Sequence, residues 1–358
     1  MDAPHVPGRD LKAQAPGSEL RVGLDIGHHT TVFQVASRLE EALLPRTYVI
    51  PSVVAYPGGR LGDPRTLLVG NEALLARDRC ELIHPLDSGN ARALKDFTAY
   101  LRQLMDPTGR REIWGVVSCM QAASPEEEKR VRALANEIFD RTSLLDPALL
   151  MATAYGCQDV ARNSLWIDVG ARSIRVTLIH GGSPETSDSI VIEGGGNALD
   201  ERLQRAIHKR YPDLELTLLT VRQIKERLGY VAPASRPCKL VVSYDGTALE
   251  LDIAPIVERA CEPLVEQILE GMWQVLPRVS SDSAEELLGN IILAGGGAAI
   301  RGLRERLQME VRRAHGSSAN VRIADRTATL VANGAIRWAY FLKEEDWEIP
   351  VFSFAPAR

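Results

Sequence analysis

The sequence predicts an α/β protein of two similar lobes facing one another, and three observations carry that prediction. A length of 358 residues exceeds what one hydrophobic core usually serves, so two domains are the default. Each half then opens alike. Val22-Gly23-Leu24-Asp25-Ile26-Gly27 and Leu165-Trp166-Ile167-Asp168-Val169-Gly170 are apolar strands ending in Asp and Gly, about 143 residues apart, where the chain turns back as a hairpin. The third is Asn290-Ile291-Ile292-Leu293-Ala294-Gly295-Gly296-Gly297, a buried strand entering a triple-glycine turn, followed by an amphipathic helix from Ile300 to Val311. Asp-x-Gly alone is a common strand end, and a glycine run also serves a plain strand–helix turn. The repetition is what points to duplicated lobes.

Composition sets the class. A 45% hydrophobic and 25% charged chain is ordinary for a globular protein, and a net charge of −5 gives no reason to expect nucleic acid. Cys80, Cys119, Cys157, Cys238 and Cys261 lack the close pairs of zinc or redox sites and read as reduced core thiols. Residues 1–19 hold three prolines and no apolar stretch, so they read as a disordered tail rather than a signal peptide or an amphipathic membrane anchor. No segment offers the roughly 18 apolar residues of a spanning helix. These features predict a cytoplasmic protein without direct membrane insertion.

In chain order, Leu20 to Ile26 and Thr30 to Ala36 form the first hairpin. Leu43 to Tyr56 is strand-rich (Tyr48, Val49, Ile50, Val53, Val54) and closes at Pro57-Gly58-Gly59. Ala91 to Met105 has helical spacing, Trp114 to Cys119 is a buried strand, and Pro125 to Phe139 is a helix opened by a Ser124/Glu127 capping box. The second half restarts with Leu165 to Val169 and Ser173 to Ile179. Glu193-Gly194-Gly195-Gly196-Asn197 then precedes a helix from Asp200 to Tyr211, whose N-terminal amides suit an anion. A helix from Asn333 to Leu342 returns to the first lobe, and the apolar Trp347 to Phe354 reads as a strap packed on it. The expected divisions are 1–19 tail, 20–160 lobe I with an insert at about 38–83, 161–330 lobe II with an insert at about 199–253, 331–345 returning helix and 346–358 strap.

Together these elements resemble the superfamily of actin, the seventy-kilodalton heat-shock chaperones and sugar kinases. Asp25 to Thr31 resembles its first phosphate hairpin, Asp168 to Arg175 its second, and Leu293 to Gly302 its adenosine motif. The segment Val221 to Val231 is similar to actin's nucleotide-flanking helix. Val69-Gly70-Asn71-Glu72-Ala73, His84-Pro85-Leu86-Asp87-Ser88-Gly89, Gly196 to Ile207 and Ala294 to Leu303 resemble the filament-forming bacterial actins, nearer to the magnetosome-associated MamK group than to the MreB group. The resemblance runs from about Leu20 to Leu342. It implies an actin-like fold: two duplicated ribonuclease-H-like lobes around a nucleotide cleft, each with a small inserted subdomain.

The resemblance also implies a site. ATP would lie between the lobes, its phosphates held by Gly27, His28, His29, Thr30 and Thr31 of one hairpin and Gly170, Ala171, Arg172 and Ser173 of the other. Gly195, Gly196 and Asn197 would approach from the second lobe, with Arg222, Lys225 and Glu226 towards the ribose and base. Gly295, Gly296, Gly297, Ala298 and Ile300 would meet the adenosine. Asp25 and Asp168 would hold waters around Mg²⁺. Several positions depart from the family pattern: Arg172 and Ser173 stand where glycine and threonine are usual, His28 and His29 where residues are small or hydroxylated, and Ser118-Cys119-Met120 replaces a Gly-x-Pro turn. The water-orienting glutamate has two candidate replacements. Matching its proline gives Asp146-Pro147, a residue that also suits a helix N-cap; matching Tyr155-Gly156 gives Leu149. A shorter carboxylate predicts slow hydrolysis, and leucine predicts little or none.

Three classes follow. The first is a filament-forming ATPase stacking head to tail with itself and positioning magnetosomes or similar cargo through organelle-associated adaptors. The second is a hydrolysis-deficient paralogue that co-assembles with another bacterial actin. The third is a small-molecule kinase, for which the sequence shows no acceptor-site carboxylate.

Overall fold

The computed structural model describes residues 19–37, 45–57, 67–87, 90–119, 125–155, 163–180, 184–232, 234–235, 237–244, 247–316 and 319–348. The first half runs β1 (Glu19–Ile26), β2 (Thr30–Ser37), β3 (Arg46–Pro51), β4 (Val54–Ala55), β5 (Leu68–Val69), α1 (Asn71–Leu75), β6 (Leu82–Ile83), α2 (Ala91–Met105), β7 (Glu112–Ser118), α3 (Pro125–Ile138), β8 (Arg141–Leu145) and α4 (Pro147–Tyr155). The second runs β9 (Asn163–Val169), β10 (Ser173–His180), β11 (Ser189–Glu193), α5 (Gly195–Arg210), α6 (Leu218–Leu228), β12 (Lys239–Tyr244), β13 (Thr247–Asp252), α7 (Ala254–Val275), α8 (Ser281–Leu288), β14 (Ile291–Ala294), α9 (Leu303–His315), β15 (Val321–Ile323) and α10 (Leu330–Phe341).

Two five-stranded sheets repeat one topology. The first has the order β3-β2-β1-β7-β8 and the second β11-β10-β9-β14-β15. In each, an antiparallel hairpin supplies the first strands and two further strands join parallel to its opening strand. The central strands are buried and apolar along their length, as parallel strands covered on both faces require. Helices complete the packing: α2 places Ala93, Phe97, Leu101 and Met105 on one face against the first sheet, and α7 places Val257, Cys261, Leu264, Ile268 and Met272 against the second.

A third core joins the halves. Trp114 and Val116 of the first sheet, Trp166 and Ile292 of the second, and Leu150, Met151, Ala335 and Ile336 of α4 and α10 form one buried cluster. Glycines permit this packing: a Cβ on Gly334 would lie 1.8 Å from the Leu150 carbonyl oxygen, and one on Gly23 would lie 2.2 Å from the Ile336 nitrogen. Beyond α10, Trp347 packs edge-on to Trp114 at 5.4 Å, and Glu348 exchanges backbone hydrogen bonds with Thr142 at the start of β8. The remainder of the expected strap lies outside the described residues, as do the tail and the Ser124 capping box.

Three boundaries differ from expectation. The stretch read as an insert from 38 contains β3, which pairs along β2 in the large sheet; the separate sheet β5-β4-β6 begins at Val54. The helix expected from Asp200 starts five residues earlier, at Gly195, because the glycines belong to its first turn. The helix expected from Ile300 starts at Leu303, after a 3₁₀ turn over Gly296–Ala299 and a left-handed Gly302.

Candidate functional site

The two hairpin turns are built alike. The Gly27 amide donates to the Thr30 carbonyl at 3.0 Å, and the Gly170 amide to the Ser173 carbonyl at 2.9 Å. Each tight closure brings an aspartate to the end of its strand, Asp25 on β1 and Asp168 on β9. Asp168 lies near enough to Asp25 for its charge to act on it. Burial pushes Asp25 up to about 6; the Ser118 hydroxyl, donating to Oδ1 at 2.7 Å, works against this, while the charge of Asp168 adds to it. Burial likewise raises Asp168, with Arg175 opposing and Asp146 reinforcing.

Arg175 and Asp146 complete this floor. Register places Arg175 of β10 opposite Asp168, and its guanidinium lies 3.9 Å from Asp146, both side chains being buried. Arg175 Nε and Nη1 have no hydrogen-bond partner, an uncommon state for buried donors. Asp146 is the N-cap of α4: its Oδ1 accepts from the Ala148 amide at 2.8 Å, and its carbonyl accepts from Leu150. Leu149 is half-buried on the same first turn.

At the rim, one oxygen of Asp87 joins the two turns. Asp87 Oδ1 is 2.8 Å from His28 Nε2 and also accepts from Arg172 Nη2. His28 stacks on His84 with ring centroids 5.0 Å apart, and His29 lies 4.9 Å from His28. Burial is the main cause lowering all three imidazoles, His29 to about 2, with Arg222 adding to the effect on His29 and His84. They are neutral at physiological pH. The adjacent histidines do not make a metal site, and no group of three His, Cys, Asp or Glu among the described residues could hold an ion.

Thr30 is exposed at the turn, but Thr31 is not available to a ligand. It is fully buried, and its hydroxyl pairs with Ser52 at 2.9 Å, while Ser52 donates to the Gly27 carbonyl at 2.7 Å. Strand alternation turns Thr31 inward where Thr30 faces out. The expectation that the Thr31 hydroxyl faces a phosphate is corrected: it pairs with Ser52 inside the fold.

The glycine run before α5 also serves the protein. The amides of Gly194, Gly196 and Asn197 donate to the carbonyls of Arg172, Gly170 and Ala171 at 2.7, 2.9 and 2.7 Å. A Cβ on Gly195, whose φ is +37°, would lie 2.5 Å from the Gly170 oxygen. The amides expected to meet an anion thus clasp the second hairpin turn. Lys225 is similarly tied, 2.8 Å from Asp200 Oδ1 and 2.9 Å from the Gly196 carbonyl, and Arg222 lies 3.5 Å from Asp200 Oδ2. Burial raises the Asp200 carboxyl in spite of both cations. Glu226 is exposed on the same helix.

In the third glycine turn, Cβ atoms on Gly295 and Gly297 would strike Asp168 Oδ1 at 2.4 Å and Val169 Cγ1 at 2.2 Å. Gly296 differs, since nothing lies within 4 Å of its Cβ position. Ala298 is buried and Ile300 half-buried behind it. The turn therefore packs beside Asp168 and presents Gly296 outward.

The donor set fits a hydrated divalent ion. Mg²⁺ binds through one or two carboxylates with water and substrate phosphates rather than in a protein cage, and Asp25 with Asp168 supplies two carboxylates, one at the turn of each hairpin. Arg175, Asp87, His84 and Asp200 were not singled out by sequence reasoning. Arg175 could have been found by continuing the hairpin register from Gly170–Ser173, which pairs it with Asp168. Asp87, His84 and Asp200 lie in segments that carry the family resemblance, but their partners depend on tertiary contacts.

The MreB/Mbl protein family model matches residues 20–346. The actin-like protein MamK of Paramagnetospirillum magneticum is 26% identical over 342 residues, covering 92% of this chain and 95% of that protein. A solved MamK double helical filament is 25% identical with a TM-score of 0.80, covering 91% of this chain and 100% of that one. A non-polymerising MamK mutant bound to AMPPNP is 25% identical with a TM-score of 0.65, covering 90% of this chain and 99% of that one. Among the described residues, no helix is long and apolar enough to cross a membrane.

Proposed function

The chain belongs to the MreB/Mbl protein family and has its actin-like fold, and from this premise we propose that it is an ATP-binding bacterial actin that stacks head to tail into filaments and hydrolyses ATP slowly. The observation that carries the reading is the meeting of Asp25 and Asp168, each at the end of a hairpin from one of two topologically repeated sheets. A divalent cation held there would offset the like charges of the two carboxylates.

Asp25 and Asp168 would hold the hydrated Mg²⁺, which when bound neutralises phosphate charge. Thr30, the turn amides, His28 and Arg172 contribute donors around the phosphates. Gly296, open on its outer side, leaves room for the nucleoside. Hydrolysis needs a carboxylate free to orient water. The Asp146 carboxylate instead caps α4 and faces Arg175, and this divided commitment supports slow turnover. It equally favours a second reading, a nucleotide-binding paralogue that co-assembles with an active actin without hydrolysing ATP. A role in positioning magnetosomes or comparable cargo is proposed from the MamK relatives.

Phosphate release measured beside sedimentation in Mg²⁺-ATP tests these readings, with wild type, Asp168→Ala and Asp146→Ala compared. Release that accompanies pelleting and falls in both variants supports a working filament ATPase. Pelleting without release assigns the chain to the second reading, and no ATP binding at all rejects the cleft.

A further inference from the structure

The rim holds a carboxylate where the site calls for an anion. Asp87 belongs to neither hairpin; it follows β6, in the loop that leaves the small sheet. A single oxygen, Oδ1, nevertheless receives His28 from the first turn and Arg172 from the second. The loop is held in place for this. His84 Nδ1 contacts the Ser52 carbonyl at 3.0 Å, Asn90 Nδ2 donates to the His84 carbonyl at 3.0 Å, and the Asp87 amide donates to the same carbonyl at 3.1 Å. Ser52 in turn braces the first turn through the Gly27 carbonyl.

Two further features point to a ligand. His28 is nine-tenths buried with Nδ1 unpartnered, and His29 Nε2 is also buried without a partner. Asp87 and Arg172 by contrast remain 41% and 49% exposed, so their side chains have room to separate. The contacts with His28 and Arg172 outweigh the effect of burial and keep Asp87 ionised.

We propose that Asp87 is an internal competitor for the terminal phosphate of the nucleotide: its carboxylate pins the two hairpin turns together, and a triphosphate must displace it from His28 and Arg172. This rests on the nucleotide-binding reading and adds a gate to it. A phosphate oxygen satisfies the same two donors, and Arg172 can engage two phosphate oxygens at once. The single N–H of His28 cannot serve two anions at once, so the binding-competent fraction is the fraction in which Asp87 has swung away. A half-exposed ion pair of ordinary strength lowers apparent affinity by roughly twofold to sixfold.

The test is ATP affinity of the full chain, read by competition with a fluorescent ATP analogue in Mg²⁺ below the polymerisation threshold. Asp87→Asn and Asp87→Ala are both expected to tighten binding roughly twofold to sixfold, and the gain should shrink when Arg172→Gln is also present. Unchanged or weaker binding in both Asp87 variants overturns the proposal. Failure of every form, wild type included, to bind ATP would instead reject the nucleotide reading. Hydrogen exchange of nucleotide-free protein then decides on the latch: faster exchange at residues 170–173 in Asp87→Ala supports it, and unchanged exchange overturns it.

Discussion

Asp25 carries a cost that its proposed ligand removes. Its folded carboxyl titrates near 6, above the ordinary 3.8, so its stabilising contribution is full below the unfolded value and is lost as pH rises through 6. The shift corresponds to about 3 kcal/mol at most near neutral pH. Asp25→Asn should therefore raise the melting temperature of the nucleotide-free protein by several degrees at pH 7.5, with the gain shrinking towards pH 4. The lowered histidines have the opposite sign, losing stability as pH falls below 6.5; comparing the pair at each pH cancels that contribution. A gain independent of pH would contradict the account. Asp146 separates differently. Asparagine caps helices as well as aspartate does, so Asp146→Asn should keep the α4 cap, whereas Asp146→Ala should lose about 1 kcal/mol from the cap alone. If Asp146→Asn folds stably yet releases no phosphate, the residue orients water; if release is unchanged, its role is structural. The aspartates were legible in sequence because a strand-end Asp before a glycine turn is a local pattern. Asp87 was not, since its two partners lie 59 and 85 residues away.

Among elements, the hairpins were legible because alternation and turn glycines are short-range signals, whereas the placement of β3 depended on which strand it found as a partner. The glycine run at 194–196 was visible in sequence, but its reason was not: it serves the approach of α5 to the second turn rather than an open anion site. Gly195→Ala places a Cβ 2.5 Å from the Gly170 oxygen at a left-handed φ. It should destabilise the fold by about 2 kcal/mol or more, and thermal unfolding will show it. Gly296→Ala meets nothing within 4 Å and should change stability by less than about 0.5 kcal/mol. Any loss of ATP affinity in that variant is then attributable to the ligand contact. Equal destabilisation by both substitutions would undo the distinction between a clasped and an open glycine turn.

For the whole molecule, duplication was readable because both lobes reuse one strand–turn–strand pattern, while the third core between them was not, being assembled from α4 and α10 across distant sequence. That architecture also leaves Leu75 and Phe341 as the most exposed large apolar side chains among the described residues. Leu75, 81% exposed, ends α1 beside the small sheet, which reaches the first hairpin turn through Ser52 and His84, and Phe341, 71% exposed, ends α10. From there the chain reaches Trp347, packed on Trp114 of β7, and Glu348, paired with Thr142 of the edge strand β8. A head-to-tail contact is heterologous and does not close on itself, so it matches one end of the subunit with the other. Both segments carry charge that can pair across such a contact: Arg77, Asp78, Arg79 and Glu81 lie beside Leu75, and Lys343, Glu344, Glu345 and Asp346 follow Phe341. Phe341→Asp and Leu75→Asp should each raise the critical concentration for pelleting in ATP several-fold while leaving ATP affinity unchanged. Added salt should weaken wild-type assembly by screening the same pairing. If both variants pellet as wild type does, the subunits do not join through these ends, and the apolar side chains exposed there have another role.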